Sequence, residues 1–279
     1  MKHDFSGDDG ATEERIRNIH KDVWIECPQA GRIINSIIAL SQVPKRTTAP
    51  CMLVYGDGGS GKTAIVNQFK KMNRGLGSPF AFLSLAENPN NLNYKQLILE
   101  SLGVPMRLAE KRGMLSQEVA GFIQSREIRV LVIDEFHDLL LVPRNEQLKN
   151  LSLQKGLSGD PFNLSVIGFG TRAAKNALSS DVQLNRRYHT VELKPWGINH
   201  DFRNFLATLE KKVSLKNDSL LYQEDMVRLI HYHSKGLMDN VLRIVKSAAI
   251  YAVITGEERI TKELIEKAVL DPWGYKSMK

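Results

Sequence analysis

The chain has 279 residues and a formal net charge of +7, from 38 lysines and arginines against 31 aspartates and glutamates. Hydrophobic residues make up 42% of the chain, charged residues make up 25%, and there are two cysteines, which excludes a disordered chain, a collagen-like repeat and a disulfide-stabilised scaffold. No apolar run approaches the roughly 18 residues of a membrane-spanning helix, and the polar start has no apolar leader, so we expect a cytoplasmic protein.

The N-terminal part of the chain predicts a lead-in segment and one helix. Residues 1–18 contain a Gly/Asp cluster and no periodic apolar pattern, which predicts a mobile segment. From Ala30 onward, isoleucines recur at spacings of three and four residues, which predicts a helix. A basic linker between Pro44 and Pro50 then leads into an apolar run over 51–55 that predicts a buried strand.

Strand and helix patterns alternate from there to residue 195, and only helical patterns follow. Further strands are predicted over 80–85, 130–133, 164–168 and 189–193, and helices between them over 92–102, 115–123 and 172–178. The alternation predicts a parallel sheet with helices on both faces. We therefore expect an N-terminal extension and helix (1–48), an α/β nucleotide-binding core (49–195) and a small α-helical lid domain (196–279).

A phosphate-binding motif comes directly after the first predicted strand. It matches G-x-x-x-x-G-K-[ST], with the residues Gly56, Asp57, Gly58, Gly59, Ser60, Gly61, Lys62 and Thr63. Glycines in such a loop let backbone N–H groups surround a phosphate, and the following helix adds its positive N-terminal dipole end. Lys62 would supply charge to the β- and γ-phosphates, and the Thr63 hydroxyl would bind Mg²⁺. The motif predicts that the chain binds ATP with Mg²⁺.

Two acids at the end of the 130–133 strand predict the hydrolytic half of the site. Asp134 would hold Mg²⁺ through a water molecule, and Glu135 would orient the attacking water. The alternative is two acids that only end a strand. The run D-E-F-H also suggests a DExH helicase, but a helicase needs two tandem motor domains and the chain has strands for one sheet. His137 is therefore interpreted as a local hydrogen-bonding residue.

Polar residues near the last two predicted strands are candidates for sensing the nucleotide. Thr171 follows the 164–168 strand and could contact the γ-phosphate or the attacking water; it could equally be the N-cap of the next helix, and both roles can coexist. Arg186 and Arg187 precede the last strand, where an arginine could reach the γ-phosphate of a neighbouring subunit. The alternative is a solvated basic pair. A finger acting in trans would require an oligomer.

Together these features resemble the layout of AAA+ ATPases. Over residues 20–270, three stretches resemble TniB-type transposition ATPases and their TnsC-like relatives: VLVIDEFHDLL, IGFGTRAAKNAL and QLNRRYHTVELKPW. The resemblance implies an ATP-binding regulator of DNA transposition that forms rings or helical filaments on double-stranded DNA. It also implies a partner DDE-type transposase, a TniQ-like target-selection protein as a further partner, and disassembly by ATP hydrolysis. By motif match, Thr171 takes the sensor 1 role and Arg187 or Arg186 the finger role.

The sequence departs from the family pattern in the lid, and the resemblance does not determine which residues contact DNA. Many relatives have an arginine after the glycine that opens the third lid helix; here Asn240 stands there, and Arg243, one turn on, is the candidate to bind nucleotide. Loops between the second and third strands contact DNA in relatives, which makes Lys95, Lys111 and Arg112 candidates, with ordinary solvated side chains as the alternative. His231 and His233 are two residues apart on a predicted helix, so they do not share a face, and no metal site is expected.

Three other functions share parts of this pattern. A replicative helicase loader or initiator has nearly the same ATPase motifs. A small-molecule phosphotransferase would need an acceptor pocket and would leave Glu135 unexplained. A nucleotide-gated scaffold would bind ATP and hydrolyse little of it.

Overall fold

A computed structural model describes residues 9–73, 79–86, 93–105 and 116–274. The chain divides into two compact units, one over 29–194 and one formed by the segments up to residue 28 and from residue 195 onward. Within the described residues, no helix combines the length and the apolar character needed to cross a membrane.

Five parallel strands form the sheet of the 29–194 unit. They are β1 (Cys51–Tyr55), β2 (Phe80–Ser84), β3 (Val130–Asp134), β4 (Ser165–Gly170) and β5 (Tyr188–Glu192). Their order across the sheet is β2-β3-β4-β1-β5. Strand β4 lies between β1 and β3, since Ile167 pairs with Met52 on one side and with Val132 on the other. The loops that follow β1 and β3 therefore leave the same carboxyl edge of the sheet, one strand apart.

The helices account for most of the remaining described residues. In chain order they are α1 (Asp9–His20), α2 (Pro28–Ser41), α3 (Lys62–Asn73), α4 (Tyr94–Ser101), α5 (Gln117–Ser125), α6 (Arg144–Ser158), α7 (Arg172–Ser179), α8 (Val182–Arg187), α9 (His200–Val213), α10 (Glu224–Ser234), α11 (Met238–Thr255) and α12 (Lys262–Leu270). Several begin at a side chain that accepts a backbone N–H, such as Asn93 before α4 and Asn199 before α9. The predicted parallel sheet with helices is confirmed, whereas α6 and α8 were not predicted.

The core of the 29–194 unit is the sheet itself with the apolar faces of its helices. Strands β1, β3 and β4 are buried along their whole length, as expected for central strands of a parallel sheet. Phe69 of α3, Phe136 after β3 and Phe169 of β4 are among the largest fully buried side chains. This packing gives the carboxyl edge of the sheet a rigid support.

The other unit consists of α1 and the helices from α9 onward, followed by a short 3₁₀ segment at Pro272–Gly274. The expectation of a mobile segment over residues 1–18 is wrong from Asp9 onward, because α1 is anchored by contacts distant in sequence. Ile19 is buried, and the Lys246 Nζ donates to the carbonyl oxygens of His20 (3.4 Å) and Lys21 (2.6 Å) at the end of the helix. A lysine at this position offsets the negative dipole end of α1.

An ion pair also fixes α1. Both terminal nitrogens of Arg15 donate to the Glu258 carboxylate, at 2.6 and 2.7 Å, and Glu258 is 8% exposed. The hydrogen bonds from Arg15 lower the pKa of Glu258 from 4.5 to about 2. The predicted division at residues 48 and 195 stays a prediction; in the structure, α2 groups with the sheet and α1 with the C-terminal helices.

Replacing Arg15 with Ala should lower the free energy of unfolding by about 1.5–3 kcal/mol at neutral pH, the range for hydrogen bonds to a charged group. Because the pKa of Glu258 is lower in the folded chain, its contribution is present above pH 4.5 and is lost as the pH falls towards about 2. The variant should therefore differ most from the wild type above pH 4.5. Thermal unfolding measured between pH 3 and 7 tests this.

Arg17→Ala is the matched control, because Arg17 lies on the same helix and its ion pair with Glu13 is exposed at both ends. Such a pair contributes about 0.3–0.5 kcal/mol. Equal losses in the two variants would contradict the anchoring role of Arg15.

Candidate active site

The loop between β1 and α3 has the backbone conformation of a phosphate cradle. Gly59 and Gly61 have φ angles of +74° and +93°, which favour glycine over other residues. At Gly56 a Cβ atom would lie 2.6 Å from the carbonyl oxygen of Leu193, so a side chain does not fit there. The Gly56 N–H donates to the Gly170 carbonyl oxygen at 3.2 Å, which ties the start of the loop to β4.

Lys62 is held inside this loop, with 8% of its surface exposed. Its Nζ donates to the carbonyl oxygens of Gly56 (3.0 Å) and Asp57 (2.9 Å) and to the Ser60 Oγ (3.4 Å). Among the residues that the structure describes, no carboxylate forms an ion pair with it. Burial lowers the pKa of the Lys62 ammonium, against the attraction of the nearby acids. A buried cation that forms no ion pair with the described residues suits an anionic ligand, so the cradle fits a phosphate group.

The two acids predicted after β3 lie at the same edge of the sheet. Asp134 is 5% exposed, and its Oδ1 accepts a hydrogen bond from the Glu135 N–H at 3.0 Å. Glu135 has a φ of +54°, an uncommon value for a residue with a side chain, and strain of this kind concentrates at functional sites. The next N–H, that of Phe136, donates to the Phe169 carbonyl oxygen at 2.7 Å. The turn that carries Glu135 is thereby fixed to β4.

Two oxygen donors near the cradle are suited to a hard cation. Thr63 is an exposed residue in the first turn of α3, next to Lys62. Asp134 supplies a carboxylate from the end of β3. Within the described part of the chain, no group of three or more His, Cys, Asp or Glu could hold a metal ion by itself. Mg²⁺ typically takes one or two protein ligands and completes its shell with phosphate oxygens and water, so the residues fit a nucleotide-bound Mg²⁺.

Two glycines of β4 make room for the turn after Glu135, and their role was not predicted from the sequence. A Cβ on Gly168 would lie 2.6 Å from the Cγ of Phe136, and one on Gly170 would lie 3.3 Å from the His137 nitrogen. The G-x-G pattern that begins at the end of the predicted 164–168 strand could have signalled this close approach.

His137 contacts the acids on both sides of it. Its Nδ1 lies 3.2 Å from Glu135 Oε2 and its Nε2 lies 3.5 Å from Asp138 Oδ1. The contact with Glu135 lacks hydrogen-bond geometry, because the buried Nδ1 has no hydrogen-bond partner. The predicted local hydrogen-bonding role of His137 is thus observed only as proximity to Glu135 and Asp138.

Thr171 directly follows β4 and occupies the N-cap position of α7. Its side chain makes no cap hydrogen bond there, so the predicted capping interaction is not formed. The sensor role of Thr171 stays a prediction.

The two candidate finger arginines have different surroundings. Both lie at the end of α8, before β5, and hence at the amino edge of the sheet, opposite the P-loop. Arg187 is half-buried, and its Nη1 donates to the carbonyl oxygen of Lys155 (2.9 Å) and to the Ser158 Oγ (2.8 Å). Arg186 is exposed and has no ion pair or hydrogen bond to the described residues. The finger role stays a prediction, and these contacts favour Arg186.

The remaining predicted site residues belong to other parts of the chain. Asn240 and Arg243 belong to the helical unit, where the Arg243 Nη2 donates to the Asn240 Oδ1 at 3.2 Å. Lys95 is half-buried on α4, while Lys111 and Arg112 lie outside the described residues. The nucleotide role of Arg243 and the DNA roles of the three basic residues stay predictions.

The histidines of α10 have protein partners. The His231 Nε2 lies 2.9 Å from the carbonyl oxygen of Trp196, and the His233 Nε2 lies 3.1 Å from Glu266 Oε1. These contacts agree with packing and surface roles.

Comparison with known proteins shows a family and a fold. A family model described as "Bacterial TniB protein" matches residues 15–198. The structure of the Aeropyrum pernix ORC1 protein in complex with DNA is 18% identical, with a TM-score of 0.59 over 91% of this chain and 68% of that chain. The Aeropyrum pernix ORC2 protein in its ADP form is 15% identical, with a TM-score of 0.60 over 92% and 72%.

A third structure of this fold is the Thermotoga maritima RuvB Holliday junction branch migration motor. It is 13% identical, with a TM-score of 0.51 over 90% of this chain and 72% of that chain. Among the curated proteins, none matches the chain. The predicted AAA+ fold, a P-loop α/β core with a helical C-terminal part, is confirmed.

We expect Gly168→Ala to lower the free energy of unfolding by about 1–3 kcal/mol, because the added methyl group would displace the Phe136 ring from a closely packed position. Unfolding in urea measures the change. Gly121→Ala in α5 is the matched control: its Cβ would meet nothing within 4 Å, and alanine should stabilise the helix by up to about 1 kcal/mol. A Gly168→Ala chain as stable as the wild type would contradict the close packing of Phe136 on β4.

Proposed function

Because the chain belongs to the TniB family, we propose that it is an ATP-dependent regulator of DNA transposition that assembles on double-stranded DNA. Family and fold make it an AAA+ P-loop ATPase. The observation that carries the proposal is the juxtaposition of the two halves of the site. A cradle whose buried lysine forms no ion pair with the described residues follows β1, a carboxylate pair lies at the end of β3, and both loops are hydrogen-bonded to β4.

The residues of the site have separate roles in ATP binding and hydrolysis. When bound, Mg²⁺ and ATP supply the γ-phosphoryl group that is transferred to water. Lys62 and the backbone N–H groups of the loop neutralise phosphate charge, and Thr63 and Asp134 hold the cation, Asp134 through water. Glu135 orients the attacking water and accepts its proton at the carboxylate. Thr171 and Arg243 contribute further contacts as sensors.

Arg186 is our candidate for the cationic group that acts in trans. It is exposed and forms no ion pair with the described residues, whereas the Arg187 side chain donates hydrogen bonds to Lys155 and Ser158 of α6. A guanidinium that reaches the nucleotide of a neighbouring subunit requires that the chain self-associates, as a ring or a helical filament. This requirement links ATP turnover to assembly.

Double-stranded DNA, a DDE-type transposase and a TniQ-like protein are the proposed partners, in the cytoplasm. The net charge of +7 favours contact with phosphates, and the related ORC1 structure is a complex with DNA. In this proposal Lys95, Lys111 and Arg112 contact DNA, the assembled form recruits or activates the transposase, and ATP hydrolysis drives disassembly.

A replicative helicase loader or initiator is the second candidate function. Its support is the similarity to the two Aeropyrum pernix ORC proteins, at 18% and 15% identity. Co-purification with a transposase favours the first function, and co-purification with a replicative helicase favours the second.

Lys62→Ala should abolish ATP binding, because it removes the charge that the cradle surrounds. Glu135→Gln should keep ATP binding but lower turnover by about 10²-fold or more, because the amide cannot accept a proton from water. Calorimetry and phosphate release measure the two quantities. The control is Lys71→Ala, an exposed lysine on the same helix α3, which should change neither. Normal turnover in Glu135→Gln would contradict the role of Glu135.

With a non-hydrolysable ATP analogue, the chain should form assemblies on duplex DNA that are visible by electron microscopy. The affinity should fall by roughly 0.9 log units per phosphate contact for each tenfold rise in salt. Lys95→Ala should lower this salt dependence by about one contact, whereas Lys71→Ala should not. Binding that does not depend on salt would contradict the proposed DNA contacts.

A further inference from the structure

A basic cleft lies at the amino edge of the sheet, outside the site described above. It has a volume of about 780 Å³ and lies between the segment that enters β1 and helix α8. The polar residues that line it are Arg46, Thr47, Thr48, Gln183, Arg186 and Arg187. No carboxylate is among them, so the cleft combines three guanidinium groups with hydroxyl and amide groups.

The C-terminal end of α6 organises both walls of this cleft. On one wall, the Ala49 N–H donates to the Ser158 carbonyl oxygen at 2.7 Å, and Thr48 pairs with Gly159 in a β-bridge. On the other wall, the Arg187 guanidinium donates to the Ser158 Oγ at 2.8 Å. One residue therefore fixes both walls.

The backbone that carries Arg46 is also anchored. The Asn163 side-chain amide donates to the carbonyl oxygen of Arg46, and its Oδ1 accepts from the Arg46 N–H at 3.4 Å. The Arg46 side chain takes no part in these bonds. The segment that carries Arg46 is thus held in place, while the Arg46 guanidinium remains available to bind a ligand.

The nearby acids do not neutralise the cleft, because other lysines pair with them. Asp160 pairs with Lys45 at 3.5 Å, and Asp181 pairs with Lys155 at 2.6 Å. Arg46 and Arg186 are exposed and form no ion pair with the described residues. Guanidinium groups bind phosphate oxygens through two parallel hydrogen bonds, which makes a phosphate the best-matched ligand.

We infer that Arg46 acts together with Arg186 on the triphosphate of a nucleotide bound by a second copy of this chain. The cleft cannot serve the nucleotide of its own copy, because the P-loop follows β1 and the cleft precedes it, at opposite edges of one sheet. A head-to-tail assembly joins two different faces of adjacent copies, and one that sets the amino edge of one copy against the carboxyl edge of the next would bring the cleft to that nucleotide. The three arginines line one cleft and not an extended surface, which matches a triphosphate better than the long phosphate rows of duplex DNA. This inference rests on the proposed ATPase function.

Arg46→Ala should lower kcat for ATP hydrolysis at least tenfold, a smaller loss than the 10³–10⁵ of a full trans arginine, with little change in the Kd for ATP. Arg46→Lys should show an intermediate loss, because lysine keeps the positive charge but cannot form two parallel hydrogen bonds to a phosphate. Lys71→Ala is the control: it removes an exposed cation of α3 that does not line this cleft and forms no ion pair with the described residues. Since the Arg46 side chain is exposed, all variants should unfold at the wild-type temperature.

Mixing variants tests whether the residue acts in trans. Lys62→Ala copies keep an intact cleft but bind no nucleotide, and Arg46→Ala copies bind nucleotide but have an incomplete cleft. An equimolar mixture should hydrolyse ATP faster than the mean of the two variants alone, since about a quarter of the junctions in a random head-to-tail assembly are then complete. Recovery supports the inference, and a mixture no more active than the mean of its parts overturns it.

Two other outcomes distinguish a nucleotide from DNA as the source of the phosphate, and failure of this inference from failure of the proposed function. If Arg46→Ala leaves turnover unchanged with and without DNA but lowers the salt dependence of DNA binding, the cleft contacts DNA and the inference is wrong. If the wild type hydrolyses ATP and Arg46→Ala does so at the same rate, this inference alone is wrong. A wild-type chain that binds no ATP would overturn the proposed function as well.

Discussion

Two backbone hydrogen bonds to consecutive residues of β4 hold the candidate site together. The Phe169 carbonyl oxygen accepts from the turn that carries Glu135, and the Gly170 carbonyl oxygen accepts from the first residue of the P-loop, Gly56. The cradle and the turn that carries Glu135 are therefore both attached to β4. The pairing of β4 with β1 and β3 sets the distance between the two loops. The glycines of β4 serve the same purpose, because Gly168 leaves the space that Phe136 fills. Preorganised groups of this kind need little rearrangement when charge develops during a reaction.

Helix α6 connects this edge of the sheet with the opposite one. Its 15 residues span about 22 Å. Near its start, the Gln147 side chain donates to the Leu140 carbonyl oxygen at 2.9 Å, in the turns after Glu135. At its end, Ser158 bonds both walls of the arginine cleft. One rigid element thus touches the loop that follows the proposed water-orienting acid and the cleft that we assign to a neighbouring nucleotide. This arrangement gives a physical connection between the two sites of one copy.

The features that the sequence predicted are those encoded over short stretches. The P-loop is local, and β1, β3 and β4 are continuous apolar runs. Helix α6 was missed because two of its four buried positions, Gln154 and Ser158, are polar, which hides the apolar periodicity. Helix α1 was missed because it is held by Arg15 and Lys246, whose partners are distant in sequence. The distinction between Arg186 and Arg187 depends on Ser158, so no local pattern reveals it. Arg46 was missed for the same reason, since only the fold brings it to α8.

The placement of the P-loop and the arginine cleft at opposite edges of one sheet has an arithmetic consequence for any stack of copies. In the assembly that we propose, each completed centre needs one edge from each of two adjacent copies. An open stack therefore has one completed centre fewer than it has copies, with an unused cradle at one terminus and an unused cleft at the other. A closed circle has no such deficit. Hydrolysis per copy would rise with the length of an open stack towards a plateau, and the unpaired terminal cradle would keep its nucleotide longest.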